Sequence, residues 1–86
     1  MPTISMFYGI LIRMYNNGEH NPPHFHAYYQ DKEGVFDLDG NLKEGEMPAR
    51  QRKLIEAWTV IHRDELAANW ILAINEEPLY KIEPLR

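Results

Sequence analysis

Residues 49–75 contain neither glycine nor proline, and Pro48 stands immediately before them. This run constrains the fold more than any other feature of the chain. Proline is favoured at the first helical position, and good helix formers follow it here. Gln51, Ile55, Trp58, His62, Leu66, Trp70 and Ala73 recur at three- and four-residue steps, with Leu54, Ile61, Asn69 and Ile74 beside them. One straight helix over this span would reach roughly 40 Å, which is long for a sheet built from the rest of so short a chain. The reading is therefore two helical pieces or one bent helix. The break falls near His62-Arg63-Asp64, with Asp64 able to cap the second piece. Asn75-Glu76-Glu77-Pro78 ends the helical part. Trp58, Trp70, Ile55 and Leu66 read as core.

The first 47 residues carry a different period. From Ile4 to Tyr15 the chain alternates, with Ile4, Met6, Tyr8, Ile10, Ile12 and Met14 on one side. That predicts one long strand, with a bulge or a close approach by another element at Gly9. Asn16-Asn17-Gly18 reads as a turn. A second strand is expected from His24 to Gln30, then a hairpin connection over Asp31-Lys32-Glu33-Gly34. Val35 to Leu38 forms a third strand, Asp39-Gly40-Asn41 a turn, and Leu42 to Glu44 a short fourth strand. Leu79, Tyr80, Ile82 and Leu85 make an apolar tail that docks on the sheet as an extra strand or extended arm. The expected fold class is α+β. It has an antiparallel sheet of three to four strands, a long, bent or broken C-terminal helix packed on one face, and an extended C-terminal tail.

The 86 residues read as a single domain, with a β meander over 1–47, a helical part over 48–75 and a tail over 76–86. No cysteine is present, which excludes disulfides and thiolate metal sites and suits a reducing cytoplasm. The apolar start, Met1 to Arg13, lacks a basic leader and a small-residue cleavage site and is too short for a membrane span, so a cytoplasmic protein is expected. The net charge is -4, so any nucleic-acid contact has to come from a local patch only.

The chemistry-bearing residues gather at His20-Asn21-Pro22-Pro23-His24-Phe25-His26-Ala27-Tyr28-Tyr29. The proline pair is stiff and sends the chain into an extended segment at His24. Alternation then puts His24 and His26 on one face, about 6.5–7 Å apart, and Phe25 and Ala27 on the other. Three uses of this stretch are open. The first is a divalent metal held by His24 and His26, with His20 or His62 as a third ligand and Glu65 or Asp37 as a carboxylate; no cofactor is required by the sequence. The second is acid–base or phosphodiester chemistry by His24, His26 and His62, with Arg50 or Arg13 as the cation and Tyr28 as a supporting donor. The third is structural, with the imidazoles tied to carbonyls or sheet neighbours. Arg50, Arg52 and Lys53, at the helix start, form a candidate anion or partner site, unless Glu44 and Glu46 neutralise them, and Arg13 and Tyr28 are further candidates for anion or partner binding. His62 is expected to face the strand histidines, oriented by Glu65 or Asn69.

Several runs together resemble one small bacterial family. They are Gly9-Ile10-x-Ile12-x-Met14-Tyr15, His20-x-Pro22-Pro23-His24-Phe25-His26-Ala27, Pro48-x-Arg50, Trp58, His62-x-x-Glu65-Leu66, Asn69-Trp70 and Pro78-Leu79-x-x-Ile82-x-Pro84-Leu85. The family is catalogued as domain of unknown function family 4160. The resemblance implies a component of a toxin–antitoxin-like gene pair. Its partner would be a small protein from a neighbouring gene, of the kind catalogued as domain of unknown function family 2442. The functional expectation is thus a small interaction module. The rival is a histidine-dependent ribonuclease or metal-assisted hydrolase. A homodimer through the first strand or the apolar tail is also open.

Overall fold

The structure is a computed structural model that describes residues 3–15 and 22–86. Its strands are β1 (Thr3–Phe7), β2 (Ile10–Arg13), β3 (His24–Tyr29), β4 (Lys32–Asp37) and β5 (Leu42–Gly45), followed by α1 (Ala49–Ile61) and α2 (Arg63–Ile74). The strands form one antiparallel sheet in the order β1-β2-β3-β4-β5. The α+β class, the antiparallel meander and the C-terminal helical part stand as the sequence predicts. The strand count rises to five.

The extra strand arises because the expected long first strand is a hairpin. Tyr8 takes φ 50° and Gly9 φ 78°, and Phe7 pairs with Ile10 across them. Two consecutive positive φ values are what a tight type I′ turn requires. Asparagine or aspartate usually precedes the glycine there, so tyrosine disguised the turn. The turn also corrects the facing of the side chains. Phe7 joins Ile10 and Ile12 in the core, while Met6 is 65% exposed and Tyr8 lies at the tip. A bulge between Thr3 and Ser5 lets Ile4 and Ser5 both turn inward.

The second hairpin turns one step earlier than expected. Tyr29 pairs with Lys32, and Gln30 holds the turn with φ 54°. Lys32 to Gly34 therefore belong to β4 rather than to a loop. The shift puts Glu33 on the ladder opposite Tyr28.

One face of the sheet is apolar and covered. Phe25 and Phe36 stack at 5.7 Å on adjacent strands. Trp58 of α1, fully buried, packs edge-on to Phe25 at 5.8 Å and against Phe7 at 5.3 Å. Ile10, Ile12, Met14, Ala27, Ile55 and Leu66 complete the contact between the sheet and the helices. Burying side chains of this size supplies about 1.5–3 kcal/mol each, the main drive for seating the helices on this face.

The helical part breaks at His62, as the sequence predicts, into two helices. His62 has φ -110° and ψ 26°. The hydrogen-bond ladder nevertheless runs through the joint, from His62 N–H to the Trp58 carbonyl at 3.0 Å and from Leu66 N–H to the His62 carbonyl at 2.9 Å. Pro48 stands at the N-cap of α1 rather than inside it. His62, not Asp64, is the cap residue of α2, and no side chain caps either helix. Asp64 and Glu65 sit in the first turn of α2, where they complement the helix dipole.

Residues 76–86 form an extended arm without regular structure. Ile82 is buried, and its N–H donates to the Ile4 carbonyl at 2.7 Å. The arm thus closes the outer edge of β1 at one point and fills the core beside it.

Candidate functional site

Alternation along β3 sends Phe25 and Ala27 into the core and His24, His26 and Tyr28 to the opposite face. The ladder then fixes their neighbours. Arg13 and Val35 flank His26, Leu11 and Glu33 flank Tyr28, and Asp37 stands beside His24. Leu11, Arg13, His24, His26, Tyr28 and Val35 are half-buried on this face.

The result is a row of rings along β3. His24 and His26 lie 5.4 Å apart, edge to face, and His26 and Tyr28 lie 6.5 Å apart with nearly parallel planes. Tyr15 meets His26 edge-on at 4.7 Å. The Arg13 guanidinium lies 5.5 Å from the centre of the Tyr28 ring, a cation–π contact. At the other end His24 lies 5.2 Å from Trp70 of α2, so the row reaches from the open face to the helices.

Hydrogen bonds hold the rings in place. The Tyr15 and Tyr28 hydroxyls share one. Burial, that bond and the nearby Tyr15 and Glu33 charges all push the Tyr28 phenol well above its ordinary pKa, so it stays neutral through the physiological range. His24 Nδ1 lies 3.0 Å from the Pro22 carbonyl, and His26 Nδ1 lies 3.3 Å from Glu33 Oε2. With Nδ1 turned to the Glu33 carboxylate, Nε2 is the ring nitrogen left for other partners. Beside the two imidazoles opens a cleft of about 420 Å³, walled by Pro22, Pro23, Val35, Asp37, Lys43 and Glu44.

The charges on this face are unequally committed. Asp37 accepts from the main-chain N–H groups of Asp39 and Asn41 at 2.9 and 3.0 Å and from the Asn41 amide at 3.1 Å. Burial raises its pKa, but these bonds outweigh that and hold the carboxyl below its ordinary value. Glu33 faces His26. Arg13 and Lys43, by contrast, form no ion pair among the described residues.

Not every candidate from the sequence joins the row. His24, His26, Tyr28 and Arg13 come together. The contacts of His62 lie elsewhere, with its ring 5.7 Å from Trp58 and its Nδ1 2.5 Å from Glu65 Oε1. Glu65 does orient it, as expected, but Trp70 is the helix residue that meets the strand histidines. Arg50, Arg52 and Lys53 are exposed at the start of α1. Arg52 and Lys53 line a separate shallow cavity with Gly40, Asn41 and Glu56. None of the three is paired among the described residues, and Glu46 turns to Lys32 at 3.8 Å instead. His20 lies outside the described residues. Among those described, no three His, Cys, Asp or Glu side chains gather closely enough to hold a metal ion.

Tyr15, Glu33 and Trp70 are the members of the row that sequence reasoning missed. Glu33 was legible only with the turn placed at Gln30-Asp31. Trp70 belonged to the helical stripe and read as core, which it also is.

Together these features define a class: a small α+β protein with a five-stranded meander, covered by helices on one side and bearing a histidine–tyrosine row on the other. Within that class the chain belongs to the family described as a domain of unknown function, DUF4160, whose model matches residues 9–71. The resemblance carried by the sequence motifs is the right one. The match runs from the first hairpin into α2 and includes the whole β3 row. No curated protein and no solved structure matches the chain. No helix among the described residues is long and apolar enough to cross a membrane.

Proposed function

We propose that this chain is a small interaction module, one component of a bacterial toxin–antitoxin-like two-gene system, working in the cytoplasm. Its partner is a small protein from the neighbouring gene, of the family 2442 kind, and it docks on the open face of the sheet. One observation carries this reading: the sheet face that presents the β3 ring row is furnished for contact. It presents Tyr and His rings, the exposed Met6 beside the Leu11 rung, and two cations, Arg13 and Lys43, that form no ion pair among the described residues. Tyrosine and arginine are the residues that dominate binding energy at protein interfaces, and an arginine favours a partner that brings a carboxylate. Co-expression with the neighbouring gene product, followed by sizing, tests this. A single peak holding both chains is expected; two separate peaks at micromolar concentration would count against it.

A second reading has its own observation. The Glu33–His26 pair, with His24 alongside and Lys43 across the cleft, resembles a base held by its orienting carboxylate. It supports a histidine-dependent ribonuclease. Sequencing RNA after induction separates the two. Cleavage that disappears in His26→Ala supports chemistry at the face, and intact RNA under wild-type induction removes the ribonuclease reading.

A further inference from the structure

The C-terminal arm is held the way a groove holds a bound peptide. Asn69, only 2% exposed, donates its Nδ2–H to the Tyr80 carbonyl at 2.8 Å and accepts the Tyr80 N–H on Oδ1 at 3.0 Å. Trp58 Nε1–H donates to the Glu83 carbonyl at 2.8 Å, and Ile82 N–H to the Ile4 carbonyl at 2.7 Å. All four bonds address the main chain of the arm. Ile82 then fills a place in the core. Leu79 and Leu85 pack beside it, and a groove that reads main chain and a few apolar side chains accepts any copy of the segment that reaches it.

The tether that keeps the arm in its own groove is short and strained. α2 ends in a Schellman turn, with Glu76 N–H on the Ala73 carbonyl at 3.1 Å and Glu77 N–H on the Leu72 carbonyl at 2.9 Å. The residue at the left-handed position of that turn is normally glycine. Here it is Glu76, at φ 56°. Pro78 follows and stiffens the exit. Short hinges under strain favour the exchange of a terminal element between copies, because opening the hinge relieves the strain and all other contacts are remade.

We propose that the groove formed by Ile4, Trp58 and Asn69 receives the arm of a second copy. Two chains open at Glu76 and trade residues 79–86 to give an arm-exchanged dimer. Monomer and dimer share every arm contact, so concentration and the hinge alone set the balance. This inference stands apart from the partner reading, since it uses neither β3 nor its ring row.

The test uses the full-length chain, sized by light scattering from micromolar to millimolar concentration. Alongside it run Glu76→Gly, in which the left-handed turn costs nothing, and a chain with Glu76 and Glu77 deleted, whose arm is too short to fold back. The wild type should gain dimer with concentration. Glu76→Gly should hold several-fold less dimer at equal concentration, and the shortened chain should be dimeric throughout. In a dimer of labelled and unlabelled wild-type chains, contacts between Ile82 and Ile4 should appear between chains in isotope-filtered spectra. A wild type monomeric at every concentration overturns the proposal, and so does a dimer whose Ile82–Ile4 contacts stay within one chain. These wild-type measurements decide the matter even where a variant fails to fold.

Discussion

Replacing Asn69 by alanine should cost this chain a large part of its stability. Asn69 sits on the inner side of α2, and both ends of its amide are spent on Tyr80, at 2.8 and 3.0 Å. Alanine removes both bonds and leaves a main-chain donor and acceptor facing an apolar gap. Each intramolecular hydrogen bond contributes about 0.5–1.5 kcal/mol net, and a buried partner left unsatisfied costs about 1–3 kcal/mol. Tyr80 is 75% exposed as a residue, so water can reach part of its main chain and soften the loss. The expected cost is therefore about 2–3 kcal/mol, a substantial share of the 5–15 kcal/mol typical of a domain. Urea unfolding followed by tryptophan fluorescence measures it. Asn75→Ala, which loses a single exposed bond to the Ile71 carbonyl at 3.0 Å, serves as the control and should cost under about 0.5 kcal/mol. If Asn69→Ala behaves like that control, the arm is not held through Asn69 and the account of the groove fails.

Three further outcomes follow from the backbone and the charges. Tyr8→Asn should stabilise the chain by about 0.5–1 kcal/mol, since asparagine tolerates the φ of 50° that tyrosine holds under strain; a destabilised variant in thermal melts would show that the Tyr8 ring makes a contact worth more than the strain. Gly45→Ala should cost more than about 2 kcal/mol, because its Cβ would stand 2.2 Å from the Glu33 main-chain oxygen at φ 83°, and a variant that melts like the wild type would refute this. Asp37 titrates below its ordinary value in the folded chain, so its contribution is present above the unfolded value and is lost as pH falls through the folded one. The melting temperature should therefore drop in the acid carboxylate range, and Asp37→Asn should flatten part of that drop; an unchanged slope would assign the acid sensitivity elsewhere.

Much of this architecture was legible because side-chain period reports directly on buried surface. The Gly- and Pro-free run announced the helices, and His62 at their joint fell where length made one straight helix unlikely to fit. The Pro-Pro pair fixed the entry to β3, so the shared face of His24 and His26 followed from alternation alone. The failures trace to turns. Tyr8 and Gln30 adopt positive φ, which propensity assigns to Gly or Asn; the first hides a hairpin inside an apparent single strand, and the second shifts a hairpin by one step. Because strand period is two, such displacements reassign whole faces, which is why Met6 was sided wrongly and Glu33 was read as loop. The separation of His62 from the row is a tertiary outcome. Its stripe faces the sheet, but Trp58 and Trp70 stand nearer to the strands.

Docking of the partner on the sheet face that carries the β3 row is tested by titrating the neighbouring gene product into three purified proteins. These are the wild type, the Arg13→Ala/Tyr28→Ala double variant and Arg52→Ala, which lies away from the face. Losing an interfacial tyrosine and arginine typically costs about 2 kcal/mol or more, roughly thirtyfold in affinity. The account predicts that weakening in the double variant, with Arg52→Ala binding like the wild type. Equal affinity for all three proteins would place the partner elsewhere and contradict it.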